Sequence, residues 1–153
     1  MDDKTKTDVK RGTDCIGVTV SFILHDGAGK VLLHKRGEKC RDEQGRWDAG
    51  GGALEFGEEF LDCLRREVKE EFCADVTDIE FISVRNILRV QHDVPTHWVS
   101  ITFAAKVDPA QVQNGEPHKI DEIGWYSWDN LPSPQHTQLG RAIGEAHDKG
   151  FLY

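Results

Sequence analysis

No stretch of this sequence is both long and apolar. The longest such run, residues 18–24, is broken by Thr19 and Ser21 and falls far short of the roughly 20 residues of a membrane helix. A membrane-spanning helix is excluded. The first fourteen residues, MDDKTKTDVKRGTD, lack the apolar core of a signal peptide, so residues 1–13 are expected to be a flexible polar tail and 14–153 a single domain. Cysteine is scarce: Cys15, Cys40, Cys63 and Cys73 form no C-x-x-C pair and are too few for a disulfide framework. A reducing, cytoplasmic setting is the expectation, with Cys63 and Cys73 packing as small apolar groups near a helix. Positive charge is also short, with 19 Lys and Arg against 27 Asp and Glu for a net −8. That is the wrong sign for gripping phosphate backbones, and it excludes nonspecific nucleic-acid binding.

What is present is ordinary globular material. Apolar residues make up 38%, and adding 15 glycines in 153 residues brings the fraction to about 48%, inside the globular range. Residues 15–24 and 30–34 are β-branched or apolar around the turn Asp26-Gly27-Ala28-Gly29, which predicts a β-hairpin. Residues 37–46 read as a surface loop leading to Trp47, a core candidate, and to Gly50-Gly51-Gly52. Between residues 58 and 72, Leu61, Leu64, Val68 and Phe72 fall within about 80° of arc at 100° per residue. That predicts an amphipathic helix. Residues 79–90 and 98–107 read as antiparallel strands joined through QHDVPTH, residues 108–119 as a long loop, and IGWYSW as a short strand. A last helix is expected from 134 to 149, with Ser133 as N-cap, Pro134 at its first position and Gly150 as its stop. Gly140 and Gly144 inside it suggest close packing on the sheet.

Glu67, Glu70 and Glu71 stand at i, i+3 and i+4, on one face beside the apolar stripe. Each like-charge pair on a helix costs roughly 0.2–0.5 kcal/mol, and a hard divalent cation reverses the sign. The spacing points to Mg²⁺ or Mn²⁺. The competing reading is a solvated acidic face relieved by Arg65, Arg66 and Lys69.

The context is the glycine run that precedes these acids. Residues 52–71, GALEFGEEFLDCLRREVKEE, resemble the Nudix box: glycine, five residues, glutamate, seven residues, then R-E-aliphatic-x-E-E. Gly52, Glu58, Arg66, Glu67, Val68, Glu70 and Glu71 fill its positions, with Gly51, Glu55 and Gly57 matching the flanking pattern. Two positions depart: Cys73-Ala74 stand where glycine and an aliphatic residue are usual, and Gly50 replaces a proline. A left-handed cysteine costs about 1–2 kcal/mol, so the chain is expected to leave the helix differently. The order of elements also fits the Nudix α/β/α sandwich, an α+β fold with a mixed central sheet.

The resemblance implies metal-assisted attack of water on a pyrophosphate. It makes Glu67 and Glu71 the principal metal ligands, with the Gly51 or Gly52 carbonyl and Glu70 completing the set. Glu67 or Glu70 is the base, and the two stay unresolved. Arg66 orients the carboxylates, while Glu58 and Gly57 belong to the motif's framework. A further acid from outside the box is expected at Glu122, with Asp121 its competitor. Candidates for holding the base are the aromatics Phe22, Trp98, Tyr126 and Trp128, with Trp125 besides, and His92, His97 and His136 as polar groups at a pocket mouth.

The small size, GGALEFGEEF and WYSWDNLP resemble nucleoside triphosphate pyrophosphohydrolases of the sanitising type, and the markers of ADP-ribose and dinucleoside polyphosphate hydrolases do not occur around residues 89–92. A Mg²⁺-dependent enzyme converting a nucleoside triphosphate, modified ones included, to monophosphate and pyrophosphate leads. Nucleoside diphosphate sugars or ADP-ribose come next. A non-catalytic nucleotide-sensing module is the competing class, and capped or triphosphorylated RNA ends a third option. Oligomeric state is not readable, with a homodimer left open. Residues 55–71 hold seven acids and three bases, so half of the net charge of −8 lies in 17 residues.

Overall fold

A computed structural model describes residues 8–153. Its centre is a seven-stranded mixed sheet: β1 (Gly17–His25), β2 (Val31–Arg36), β3 (Trp47–Asp48), β4 (Gly51–Ala53), β5 (Val76–Gln91), β6 (Val94–Val107) and β7 (Ile120–Tyr126). The strand order is β3-β2-β1-β6-β5, with β4 added on β1 and β7 on β2. Among the strand pairs of the described residues, β1 and β6 alone run parallel. Helices α1 (Phe60–Phe72) and α2 (Leu139–Asp148) cover opposite faces, completing the expected sandwich. Among the described residues no helix is long and apolar enough to cross a membrane.

Alternation along β1 builds both layers. Val20, Phe22 and Leu24 join Leu64, Val68 and Phe72 of α1 in one core, whereas Ile23 joins Leu139, Ile143 and Ala146 of α2 in the other. The predicted stripe of α1 is shifted: Cys63 is fully buried in it, while Leu61 stays 39% exposed. Trp47 packs in the α2-side core as expected. The predicted hairpin forms but is narrow. β1 meets β2 only at Leu24–Leu32 and His25–Val31; upstream, β1 pairs with β4 instead, Ser21 opposite Gly51. The sheet therefore parts at the glycine run.

Several expectations are corrected. The connection between β5 and β6 is not QHDVPTH but His92-Asp93 alone, both at positive φ (50° and 64°), the two-residue turn whose twist suits a hairpin. Helix α2 begins at residue 139, not 134, because the backbone before it is committed to β3: Pro134 O accepts the Trp47 N–H and His136 N–H donates to Trp47 O, at 2.9 and 2.8 Å. A Cβ at Gly144 would meet nothing within 4 Å, and at Gly140 only Gln135 at 3.9 Å, so packing explains neither glycine. Gly150 does take the left-handed stop (φ 84°). Cys73 ends α1 in the left-handed conformation after all (φ 58°, ψ 22°), its N–H on Lys69 O; it is exposed, unlike Cys63. Of the expected tail, residues 1–7 lie outside the described residues, whereas Gly12 is held by the Cys15 carbonyl and by the His97 N–H at 2.7 and 2.8 Å.

Candidate active site

Arg66 is the hub of α1. Its Nε and Nη2 donate to the two oxygens of Glu58 at 2.8 and 2.9 Å, and its Nη1 donates to Glu67 at 2.7 Å. Nη2 also reaches the Ala53 carbonyl at 3.3 Å, and Glu70 lies 3.6 Å from Nη1. A planar fork can serve so many oxygens at fixed angles; a lysine cannot. Glu58 sits just before the helix, not in its first turn, and accepts the Glu55 N–H at 3.1 Å as well. The Arg66 fork holds the Glu58 carboxyl down at about 2. Cys63 lies under this cluster, and burial with Glu58 nearby pushes its thiol up to about 12, so it is inert.

The three glutamates occupy different environments. Glu70 is half exposed. Glu67 is largely covered; burial raises its pKa despite Arg66, and Glu70 and Glu116 add to the rise. Glu71 is 8% exposed and its Oε2 has no hydrogen-bond partner. Burial first, then the charges of Glu67, Glu116 and Asp48, put its pKa well above the ordinary carboxylate range, a backbone hydrogen bond from Gly51 offsetting only part.

The glycines make room for these acids. A Cβ at Gly52 would fall inside the Glu67 carboxylate, and one at Gly50 would lie 2.6 Å from both Glu71 Oε2 and the Phe22 ring. Gly50 also takes φ 126°, a conformation side chains rarely adopt. The Gly52 carbonyl accepts the Thr19 hydroxyl at 3.0 Å.

The acid from outside the box that lies near Glu67 and Glu71 is Glu116, and Glu122 lies elsewhere. Glu122 stands opposite Lys35 in the β7–β2 register, two residues from Gly124 opposite Leu33. Paired residues share a face, and Leu33 belongs to the α2-side core, so Glu122 faces away from α1. Asp121 lies beside Gly37. Glu116 comes instead from the long loop, which docks on the end of α1: Gln113 and Gly115 donate to the Phe72 and Glu71 carbonyls at 3.0 and 2.9 Å.

Glu71 and the glycine run border a cavity of about 640 Å³ that passes the parting between β1 and β2 and continues over the α2-side face of β1, β6 and β5. At its rim, Asp42, Glu43 and His136 lie together, but arginines already neutralise the two acids: Arg36 is 2.8 Å from Asp42 and Arg89 2.9 Å from Glu43.

Comparison with known proteins agrees with this architecture. The NUDIX domain model matches residues 16–145. The chain belongs to the Nudix family. It is 29% identical over 105 residues to an uncharacterised Nudix hydrolase of Yersinia pestis, covering 68% of this chain and 54% of that protein. It is 25% identical over 122 residues to mouse 8-oxo-dGDP phosphatase NUDT18, covering 76% of this chain and 34% of that one. The chain thus spans from a third to about half the length of these relatives. In fold it is similar to a MutT Nudix hydrolase from Burkholderia pseudomallei (TM-score 0.76, 24% identity, 85% of this chain and 97% of that one). It is also similar to the Nudix domain of Shewanella oneidensis NrtR, solved with ADP ribose (TM-score 0.72, 18% identity, 96% and 94%). The Nudix family acts on nucleotide-like phosphoanhydrides, generally with a divalent metal.

The aromatic candidates of this Nudix domain separate. Trp98 lines the cavity, packed against Gly12 and Gly17, where a Cβ would overlap its rings. Phe22 borders it too but is fully buried, edge-on to Phe72 at 6.3 Å. Tyr126 packs on Trp47 at 5.3 Å and Trp128 stacks on His147 at 3.8 Å; neither reaches the cavity. Trp125 packs against the α1-side core. Of the three candidate histidines, His136 borders the cavity, whereas His97 bonds Asn86 at 2.8 Å and His92 is in the hairpin turn. Sequence reasoning missed His34, buried and lining the cavity against Phe72, and Arg85.

Proposed function

We propose that this Nudix domain is a Mg²⁺-dependent pyrophosphohydrolase that cleaves a nucleoside triphosphate, modified ones included, to the monophosphate and pyrophosphate. The observation that carries the reading is Glu71: a buried carboxylate, one oxygen unpartnered, crowded by Glu67 and Glu116 at the border of a cavity the size of a small-molecule site. Leaving such an acid without a counter-charge is costly, and hard oxygen donors suit Mg²⁺, with Mn²⁺ the alternative. Glu67, Glu70 and Glu71 with the Gly51 or Gly52 carbonyl would hold the ion, and Glu116 takes the part first expected of Glu122. The bound metal supplies positive charge against the pyrophosphate and makes water easier to deprotonate.

The chain's own residues do the rest. Arg66 holds Glu67 in place. Glu67 or Glu70 accepts the proton as the water oxygen bonds to phosphorus, and the P–O bond to the departing pyrophosphate breaks. The glycines let the phosphates approach the carboxylates without side chains in the way. A second reading, cleavage of a nucleoside diphosphate or a diphosphate-linked sugar, draws support from the activity named for the mouse relative and the ADP ribose in the Shewanella structure.

The test is product analysis with Mg²⁺ and a panel of nucleoside triphosphates, 8-oxo-dGDP, ADP-ribose and nucleoside diphosphate sugars. Monophosphate with pyrophosphate from a triphosphate is the expected result. Folded protein that cleaves no member sinks the hydrolase reading in favour of a nucleotide-sensing module.

A further inference from the structure

The end of the cavity away from Glu71 rests on the far side of the sheet. Arg85, Ile87, Arg89 and Gln91, alternate residues of β5, all line it. Arg85 is in register with Ser100 of β6, whose hydroxyl is 2.9 Å from that of Ser21 on β1. Ser21 in turn stands opposite Gly51 of β4. Three interstrand steps of roughly 4.8 Å, with a two-residue offset along β1 because Ser100 is in register with Thr19, thus put the arginine about 16 Å from the glycine run. That is on the scale of one nucleotide.

Arg85 is the anomalous group at this end. It is 8% exposed, and its Nε and Nη1, closed to solvent like the neighbouring Thr102 hydroxyl, have no hydrogen-bond partner, so a ligand meets them with a turn of the guanidinium into the cavity. Nη2 donates to the Gln138 carbonyl at 3.1 Å. The Glu145 carboxylate is 3.7 Å from Nη1, beyond hydrogen-bond length but near enough to balance the charge. Arg89, by contrast, already meets Asp42 and Glu43 at 3.2 and 2.9 Å. A guanidinium offers five donors and no acceptor. What Arg85 lacks is acceptor atoms, since Glu145 already supplies negative charge.

We infer that Arg85 is a specificity-determining residue that hydrogen-bonds the carbonyl edge of a keto base, guanine-like or uracil-like, whose phosphates lie at the glycine run. The inference rests on the nucleotide reading of the cavity proposed above. Adenine and cytosine carry an amino donor where guanine and uracil carry a carbonyl, and a donor set against Arg85 leaves the buried N–H groups unsatisfied. A distal phosphate or carboxylate would instead bring a second negative charge beside Glu145.

Metal-free calorimetry with GMP, AMP, UMP and CMP tests this on the wild type, on Arg85→Lys and on the double variant Arg85→Met/Glu145→Gln, which removes the guanidinium together with the carboxylate that faces it. The wild type is expected to bind the keto member of at least one pair about tenfold to a hundredfold tighter than the amino member, and both variants to erase that gap. Which pair shows it names the base. A wild type with no gap, or a gap that survives in both variants, overturns the inference. Equal weakening of all four nucleotides also overturns it, because Arg85 then holds phosphate. Keto-selective binding without turnover of the panel overturns the hydrolase reading alone; turnover without a keto gap overturns this inference alone.

Discussion

Glu71 and Arg85 are both buried, both ionisable and both left with unpartnered atoms beside one cavity, yet they do not pair with each other. Around Glu71 the neighbouring charges have its own sign, Glu67, Glu116 and Asp48, and its pKa is driven up. Around Arg85 burial lowers the pKa while Glu145 of opposite sign supports the charged form. The first site lacks positive charge and the second lacks only hydrogen-bond acceptors. The difference teaches that a buried ionisable group is informative through its neighbours: like-charged surroundings ask for an ion, and balanced surroundings ask for a neutral polar group.

Replacing the acid should break the comparison most. Glu71→Gln keeps the shape and removes the charge, so kcat/KM is expected to fall by about a thousandfold, the several kcal/mol that a metal supplies to the transition state. The melting temperature should hold or rise, because a repelling buried charge is gone; full activity in the variant would refute the ligand assignment. Glu116→Gln should weaken Mg²⁺ affinity by about tenfold to a hundredfold, in the range of outer-shell losses, read as a rise in the Mg²⁺ concentration giving half-maximal rate. Glu122→Gln should leave it unchanged.

The third prediction concerns pH. Folding raises the pKa of Glu67 and Glu71, so over the window from the ordinary carboxylate range up to their folded values the native state binds more protons than the unfolded one. The share of metal-free stability carried by these two acids should therefore fall as pH rises through that window. It is read as the difference between wild type and Glu71→Gln, because His25 and His34, lowered by burial, act in the opposite sense below the ordinary imidazole value. Mg²⁺ should reverse the trend near neutrality, by about 2.7 kcal/mol at a hundredfold excess over Kd. Thermal melts with chelator and with Mg²⁺, at about pH 5 and about pH 8, check both signs. The smallest effect tests neither end: Gly144→Ala on α2, where a Cβ meets open space, should stabilise by about 1 kcal/mol with unchanged turnover.

Much of the α1 end was legible because it is local. Leu64, Val68 and Phe72 repeat at helical spacing, and the carboxylates and glycines lie within one short segment of chain. The rest depends on contacts between distant segments. Ser133-Pro134 reads as a helix start, but Trp47, far away in sequence, claims the backbone that follows. QHDVPTH reads as a loop from its polarity, and only the β5–β6 register reduces it to His92-Asp93. Glu116 sits in an aperiodic loop, and the small Gly115 next to it, packed on the Glu70 carbonyl, was the one local hint. Arg85, Arg89 and Gln91 read as the polar side of a solvent-facing strand, and nothing in the local pattern says that this face is covered by α2 at Arg85 and by the 37–46 loop at Arg89 and Gln91.

The parting of β1 from β2 has a consequence for how such a domain changes over time. Because the carboxylates stand on one side of the gap and the β5 wall on the other, the reading proposed above implies that substitutions in that wall would alter which molecule is retained without disturbing the carboxylates. The chemistry can be inherited intact while the diet drifts.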